Sequence, residues 1–138
     1  MTAEAQLLNN LPAGVVGVGT DLIRESRLQG SLDRHGERFA RRILTEAERL
    51  LWQQRRCSVN FLAKQYAAKE ALAKALGTGI AKGVGFQQLE VLRNEQGAPY
   101  AVLHGAARER LEALGGSRAW ISLTDDDQMI QAFAVLSA

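Results

Sequence analysis

Hydrophobic and polar positions divide the first part of the chain into one strand and a series of helices. From Gly14 a β-branched run punctuated by glycines predicts a buried strand that ends near Asp21. An arginine-rich stretch predicts a helix over residues 26–43. The sequence Thr-Glu-Ala-Glu at 45–48 predicts a capping box that opens another helix, which extends toward Gln54.

A longer helix is predicted next, with Ser58 or Asn60 as its N-cap and its end near Leu76. Glycines at 77, 79, 83 and 85 then make a helix unfavourable, so residues 77–85 are predicted to form a loop. One side of the long helix carries large apolar residues and the other carries alanines. It is therefore expected to be covered on most of its sides.

In the second half of the chain, strand-like segments occur in pairs joined by turn residues. The predicted segments are strands at 88–93 and 99–103 with a turn at 94–97, a helix at 105–114, and strands at 120–124 and 129–136 turned by Asp125–Asp127. This order predicts an α+β fold in which antiparallel hairpins pack against the long helix. We expect a single domain over 14–138, preceded by a flexible leader at 1–13.

Charged residues on the long helix are candidates for chemistry. Glu70 and Lys74 lie four residues apart between its two surfaces, where a charge is costly without a partner. They are either an ordinary ion pair within the helix or part of a site. Lys69 falls in the apolar stripe, so it is expected either to extend outward to solvent or to reach a phosphate.

Asp21 at a strand end and Glu70 on a covered helix would together suit Mg²⁺. This ion takes one or two protein carboxylates and completes its coordination with water and substrate phosphates. The glycine loop and lysines that follow favour a diphosphate substrate. The alternative is that Asp21 caps the helix that follows it.

Composition narrows the class of protein. Of the 138 residues, 46% are hydrophobic and 23% charged, which is typical of a globular chain rather than a disordered one. The single cysteine, Cys57, cannot form an intramolecular disulfide, and the chain has no apolar stretch of membrane-spanning length and no signal peptide. We therefore expect a cytoplasmic protein that does not insert in a membrane.

Charge and motifs exclude several function classes. The net charge is only +2, but seven arginines fall within residues 34–56, which predicts an acidic partner. A nucleic-acid-binding domain is the less favoured explanation, because aromatic residues for base stacking are few. The dinucleotide fingerprint, the phosphate-binding P-loop, zinc-ligand spacing and a serine–histidine triad are all missing from the sequence.

Four segments, Val18–Ile23, Arg38–Thr45, Phe61–Ala63 and Ala67–Ile80, closely resemble the holo-acyl-carrier-protein synthase family, which are short phosphopantetheinyl transferases. The likeness extends from Gly14 to Leu136. It implies the 4′-phosphopantetheinyl transferase fold and a homotrimer with active sites between subunits. It also implies Mg²⁺-dependent transfer of 4′-phosphopantetheine from coenzyme A to a serine of an apo acyl carrier protein, with release of 3′,5′-ADP.

The resemblance also implies roles for individual residues. Asp21 and Glu70 would bind Mg²⁺, and Lys74 would complete the catalytic set beside the diphosphate. The serine proton would go to Glu70 or to a metal-bound water. The predicted coenzyme A contacts are Lys74, Gly77, Thr78, Gly79, Gly97 and Pro99, and the predicted carrier-docking residues are Arg27, Arg38 and Arg42.

Three positions depart from the family pattern. Gln65 stands where an arginine is common, Ala98 where a lysine is usual, and Trp120 where relatives often have a histidine. All three are expected to touch nucleotide binding and to weaken coenzyme A affinity, and Lys64 is a candidate to compensate for Gln65. A non-catalytic carrier-binding module is therefore the alternative function. Asp125 matches an acid of some relatives and is either a turn residue, which is the favoured expectation, or a group that supports the site from behind its ligands.

Overall fold

The computed structural model describes Thr2 and residues 14–138, so the predicted leader lies outside the described residues apart from Thr2. The strands are β1 (Val15–Arg24), β2 (Leu89–Arg93), β3 (Pro99–Leu103), β4 (Arg118–Asp126) and β5 (Met129–Ser137). The helices are α1 (Glu25–His35), α2 (Glu37–Ile43), α3 (Glu46–Gln54), α4 (Val59–Ala75) and α5 (Gly105–Ala113), and a 3₁₀ turn spans Phe86–Gln88.

Two antiparallel sheets pack against the long helix α4. In the larger sheet β5 lies between β1 and β4, and in the smaller sheet β2 pairs with β3. Alternate residues of β5, namely Ala132, Ala134 and Leu136, are fully buried on the side where α4 packs. This arrangement confirms the predicted α+β fold with hairpins on a central helix.

Both predicted ends of α4 are confirmed. The Ser58 hydroxyl accepts a hydrogen bond from the Phe61 backbone N–H at 3.2 Å, so Ser58 is the N-cap of the two candidates. The helix ends before Gly77, which has a left-handed φ of 78° that glycine adopts without strain. Eleven of the seventeen residues of α4 are buried, as expected for a helix that is covered on most sides.

Helix α4 packs unusually close to β1 because two strand positions have no side chain. A Cβ on Gly17 would collide with the Ala75 carbonyl oxygen, and one on Gly19 would collide with the Ala71 carbonyl oxygen. Glycine at these positions therefore lets the backbones of strand and helix meet directly. This contact sets the distance between the chemical groups that each element carries.

Three predicted boundaries are wrong. Strand β1 continues to Arg24 instead of ending near Asp21, and it is half-exposed because one of its faces is left uncovered. The helix predicted over 26–43 is two helices, since Gly36 with φ of 60° ends the first and starts the second. The last hairpin turns at Asp127 and Gln128, both with left-handed φ, rather than at Asp125–Asp127.

Within residues 14–138, none of the helices combines the length and the hydrophobicity that a bilayer-spanning segment needs.

Candidate active site

Asp21 and Lys74 form the first part of the candidate site, at the contact between β1 and α4. The Lys74 ammonium donates to the Asp21 carboxylate (Nζ to Oδ1, 3.1 Å) and to the Thr20 carbonyl oxygen at 3.0 Å. Only 15% of the Asp21 side chain is exposed, against 52% of Lys74. Lys74 therefore pairs across to the strand, and the alternative of an ion pair with Glu70 is not what the structure shows.

The alternative role of Asp21 as a helix cap is also excluded. Residue Arg24, not Asp21, occupies the N-cap position of α1, and no side chain caps that end. Asp21 instead lies within β1, opposite Ala132 of β5. Its carboxylate is thus available to the site.

Glu70 lies one helical turn before Lys74 and is half-buried. Tyr66 lies one further turn back along α4. Burial and the negative charge of Glu70 raise the pKa of the Tyr66 phenol, with a hydrogen bond to Glu70 and the charge of Asp21 adding to this, while Arg27 opposes it. The negative charges of Asp21 and Glu70 thus both act on the Tyr66 phenol.

The two carboxylates fit a magnesium ion better than a metal that needs a full protein cage. Among the described residues there is no cluster of three or more histidine, cysteine, aspartate or glutamate ligands. Mg²⁺ does not require one, because it retains several waters and is held by one or two carboxylates plus substrate phosphates. Asp21 and Glu70 are the residues that can supply those carboxylate ligands.

The loop at Gly77–Gly79 follows the site directly. Its backbone N–H groups donate to carbonyls at the end of α4: Gly77 to Lys74, and both Thr78 and Gly79 to Ala73. The Thr78 hydroxyl donates to the Gly79 carbonyl oxygen at 2.8 Å. The three amide N–H groups of the loop are therefore already paired within the protein.

Gly97 and Pro99 are not brought to the acids within one chain. Gly97 forms the turn between β2 and β3 with φ of 84°, and Pro99 begins β3. These strands form the smaller sheet, which is separate from the sheet that carries Asp21. In residues 14–138, no hydrogen bond or ion pair connects this hairpin to Asp21 or Glu70.

The three predicted docking arginines are all exposed, but they lie in two places. The guanidinium carbon of Arg27 lies 5.7 Å from the centre of the Tyr66 ring, so Arg27 borders the site. Arg38 and Arg42 lie one turn apart on α2 and line a shallow basic pocket together with Phe39. Of the three, only Arg27 is thus in contact with a residue on α4 next to the acids.

Lys69 neither extends to solvent nor reaches a surface where phosphate could bind, which corrects the prediction. It is fully buried and its ammonium donates to the equally buried Glu48 at 2.7 Å and to the Phe86 carbonyl oxygen at 2.8 Å. Glu48 also accepts from the backbone N–H groups of Thr45 and Val91. The predicted capping box at Thr45 and Glu48 is confirmed. The same Glu48 carboxylate forms the ion pair with Lys69.

Gln65 belongs to the same buried network. Its amide nitrogen donates to Glu48 and to the Val91 carbonyl oxygen, and the residue has no exposed surface. The expectation that Gln65 touches the nucleotide is therefore wrong. Lys64 cannot take its place, because it points elsewhere and pairs with Asp125 at 3.5 Å.

The other two departures lie at the surface. Ala98 is exposed in the β2–β3 turn. Trp120 is 54% exposed on β4, and its indole N–H donates to the Ser137 hydroxyl at 2.8 Å. Asp125 is a strand residue rather than a turn residue, since it lies on β4 and accepts a hydrogen bond from Asn60 on α4.

Glu90 extends the buried network to the surface. Burial raises the pKa of its carboxyl, but hydrogen bonds from Thr45 and His104 and the charges of His104 and Lys69 outweigh this and lower the pKa below its ordinary value. The Thr45 hydroxyl donates to Glu90 at 2.6 Å. A series of polar groups thus runs from exposed His104 to buried Lys69.

Three comparisons with known proteins agree on one family. A model of the 4′-phosphopantetheinyl transferase superfamily matches residues 17–134. The holo-[acyl-carrier-protein] synthase of Halorhodospira halophila is 47% identical over 122 residues, which cover 88% of this chain and 97% of the relative.

Two solved structures show the same fold. The holo-[acyl-carrier-protein] synthase of Neisseria meningitidis superposes with a TM-score of 0.83 at 38% identity, over 90% of this chain and 99% of that one. The synthase of Bacillus anthracis, solved in complex with coenzyme A (3′,5′-ADP), superposes with a TM-score of 0.75 at 32% identity, over 91% and 99% of the two chains.

Proposed function

The chain belongs to the 4′-phosphopantetheinyl transferase superfamily, and on that premise we propose that it holds Mg²⁺ with Asp21 and Glu70 during transfer. The enzyme moves 4′-phosphopantetheine from coenzyme A to an apo acyl carrier protein, as the names of its relatives and their coenzyme A complexes indicate. We further propose that a carrier serine is the acceptor and that 3′,5′-ADP is released.

One observation carries the proposal for the site. The Lys74 ammonium bridges from α4 to Asp21 at 3.1 Å, and Glu70 lies one turn earlier on the same helix. Two anions and one cation are thereby gathered beside the glycine loop that ends the helix. This combination suits a diphosphate bound through a divalent cation and a lysine.

In the proposed reaction the carrier serine hydroxyl attacks the β-phosphorus of the coenzyme A diphosphate. The bond from that phosphorus to the bridging oxygen breaks, and 3′,5′-ADP leaves with the bridging oxygen. Mg²⁺ bound at the site would neutralise charge on the diphosphate oxygens. Lys74 is half-exposed and can donate to a phosphoryl oxygen, which stabilises the charge that develops there.

The serine proton needs an acceptor within reach of the phosphorus. We propose the oxygen of the Glu70 carboxylate that Mg²⁺ would leave free. This carboxylate is half-buried, and Lys74 pairs with Asp21 rather than with it. Positioning and electrostatics then account for most of the catalysis, since the protein forms no covalent bond to the group transferred.

The carrier protein would dock on the basic surface. We propose that Arg27, Arg38 and Arg42 contact acidic residues of the carrier, because all three are exposed and Arg27 lies next to Tyr66 at the site. Exposed charges of this kind mainly speed association and select partners. The cytoplasmic location expected from the sequence stays a prediction.

A homotrimer is the proposed assembly, and the outer face of the larger sheet supports it. Large apolar side chains on that face are 48–61% exposed: Val18, Leu22, Trp120 and Phe133. An apolar face of this kind usually marks an interface. Sedimentation analysis tests the assembly: a trimer that Phe133→Asp converts to monomer is expected, and a wild-type monomer would contradict the proposal.

Intact mass spectrometry of an apo carrier protein tests the reaction. Incubation with the chain, coenzyme A and Mg²⁺ is expected to add the mass of one phosphopantetheine group, and EDTA is expected to prevent the addition. Binding of the carrier without any mass gain would support the non-catalytic module instead. A mass gain that survives EDTA would contradict the metal site while leaving the transfer reaction in place.

A further inference from the structure

Arg110 lies on α5, outside the groups gathered so far, and its side chain reaches the end of α4. Its Nε donates to the Leu76 carbonyl oxygen at 2.9 Å, and a Cβ on Gly77 would lie 3.5 Å from its Nη2. We propose that Arg110 is a positioning residue for coenzyme A, which holds the loop at Gly77–Gly79 in its binding form and neutralises the carbonyl end of α4. This inference rests on the proposed function, because it assumes that this loop faces coenzyme A.

The chain from the end of α4 to Gly83 has two side-chain anchors. In the part of the protein that the structure describes, the side chains from elsewhere that hydrogen-bond to residues 76–83 are Arg110 at the start and Gln88 at the far end. The Gln88 amide donates to the Gly83 carbonyl oxygen at 2.8 Å and accepts from the Ala107 backbone N–H of α5 at 3.0 Å. Helix α5 therefore holds both ends of the loop, directly through Arg110 and indirectly through Gln88.

The backbone of the loop makes these anchors necessary. Gly77, Gly79 and Gly83 all have left-handed φ, and glycine has more alternative conformations than any other residue when nothing holds it. Residues 81–83 are exposed, so packing does not restrict them. Without the Arg110 contact the loop would therefore spend part of its time away from the observed form.

The charge of Arg110 gives the contact a second effect. The carbonyl end of a helix carries a partial negative charge of about half a unit, and the Leu76 carbonyl lies at that end of α4. An anionic diphosphate beside it would be repelled. Within residues 14–138 no carboxylate forms an ion pair with Arg110, so its positive charge remains available to reduce this repulsion.

Arg110→Met tests the proposal, because it removes the donor and the charge and keeps a long side chain at an exposed position. Losing a hydrogen bond to a charged group lowers the population of the anchored loop by about tenfold, and the affinity falls in proportion to that population. The Kd for coenzyme A, measured by calorimetry with Mg²⁺ present, is therefore expected to rise about tenfold. In the transfer assay the KM for coenzyme A is expected to rise similarly, with kcat at saturating coenzyme A retained.

Hydrogen exchange reports on the loop itself. The Thr78 and Gly79 amide N–H groups are hydrogen-bonded to the Ala73 carbonyl oxygen, and they are expected to exchange faster in Arg110→Met than in the wild type. Saturating coenzyme A is expected to slow their exchange again. Arg110→Lys keeps a cation at this position and is expected to recover part of the affinity. Exchange at the wild-type rate in Arg110→Met would overturn the proposal, because the loop would then be held without Arg110.

Arg108→Met is the matched control, since it removes the same charge from the same helix. Arg108 is exposed and pairs with Glu112 at 3.1 Å, away from the end of α4. The variant is expected to keep the wild-type Kd for coenzyme A. Equal rises in the two variants would overturn the proposal. A lowered Tm in Arg110→Met with an unchanged Kd would show that Arg110 serves stability alone, and it would also overturn the proposal.

Lys74→Met separates failure of the inference from failure of the proposed function. If Lys74→Met weakens coenzyme A binding and Arg110→Met does not, the site at Asp21 and Lys74 stands and the role of Arg110 is refuted. If neither variant weakens binding, coenzyme A does not lie at this end of α4. The site of the proposed function and the role of Arg110 then fail together.

Discussion

The buried ion pair between Lys69 and Glu48 provides a stability prediction that can be worked through from the structure. Lys69→Met replaces the lysine with an unbranched apolar side chain of similar length and leaves the Glu48 carboxylate buried. Removing one partner of a buried pair typically costs about 3–5 kcal/mol, because the remaining charge loses its compensation. Replacing both charges by neutral groups is often close to neutral.

The partners that Glu48 keeps decide where in this range the loss falls. After the substitution its oxygens still accept from the Thr45 and Val91 N–H groups and from the Gln65 amide. These donors partly compensate the carboxylate, so we expect a loss of about 3 kcal/mol rather than 5. For a domain of this size that corresponds to a Tm lowered by about 10 °C.

Urea denaturation at one fixed protein concentration measures the loss, since an oligomer would make the midpoint concentration-dependent. Glu48→Gln/Lys69→Met is the companion variant, and it is expected to recover most of the lost stability. A loss below about 1 kcal/mol in Lys69→Met would refute the reasoning, because it would mean that the lone carboxylate is not penalised. A double variant as unstable as the single one would point to packing instead of charge.

Three further predictions follow from the site and its support. Glu70→Gln is expected to abolish nearly all transfer in the mass assay without lowering Tm. Gly19→Ala is expected to lower the free energy of unfolding, measured in urea, by about 1–3 kcal/mol or more, because its Cβ meets the backbone of α4. Gly85→Ala is the control and is expected to cost less, because a Cβ there meets open space. The pKa of Glu90 in the folded protein is lowered from 4.5, so its contribution to stability is present above that value and is lost on acidification. The wild type is therefore expected to lose more stability than Glu90→Gln between about pH 5 and pH 3. Equal losses in the two proteins would contradict the lowered pKa.

Local signals in the sequence were sufficient to predict most of the secondary structure. The capping box at Thr45 and Glu48, the serine cap at Ser58 and the glycine at Gly77 each act within a few residues, so their effect can be deduced without the fold. Gly36 escaped prediction because a single glycine is tolerated inside many helices. Only its left-handed φ shows that it separates two helices here.

The observed positions of the Lys69 and Asp125 side chains depend on partners that are distant in sequence. Lys69 meets Glu48 from another helix, and Asp125 meets Asn60 and Lys64 on the long helix. No periodicity encodes such contacts, so a lysine in an apolar stripe was expected to leave the core. The one available signal was that Glu48 occupies a capping position whose side chain must point back toward the helix start.

The direction of the Asp21 side chain is set by the alternation of faces along β1, not by a position at the end of the strand. Gly17 and Gly19 share the face of β1 that meets α4, and Asp21 comes next on that face. The two glycines let the helix backbone approach the strand, and Asp21 then carries a side chain long enough to reach Lys74. A one-residue slip against β5 would turn the acid to the opposite face. The antiparallel pairing with β5 is therefore as necessary to the site as the carboxylate itself.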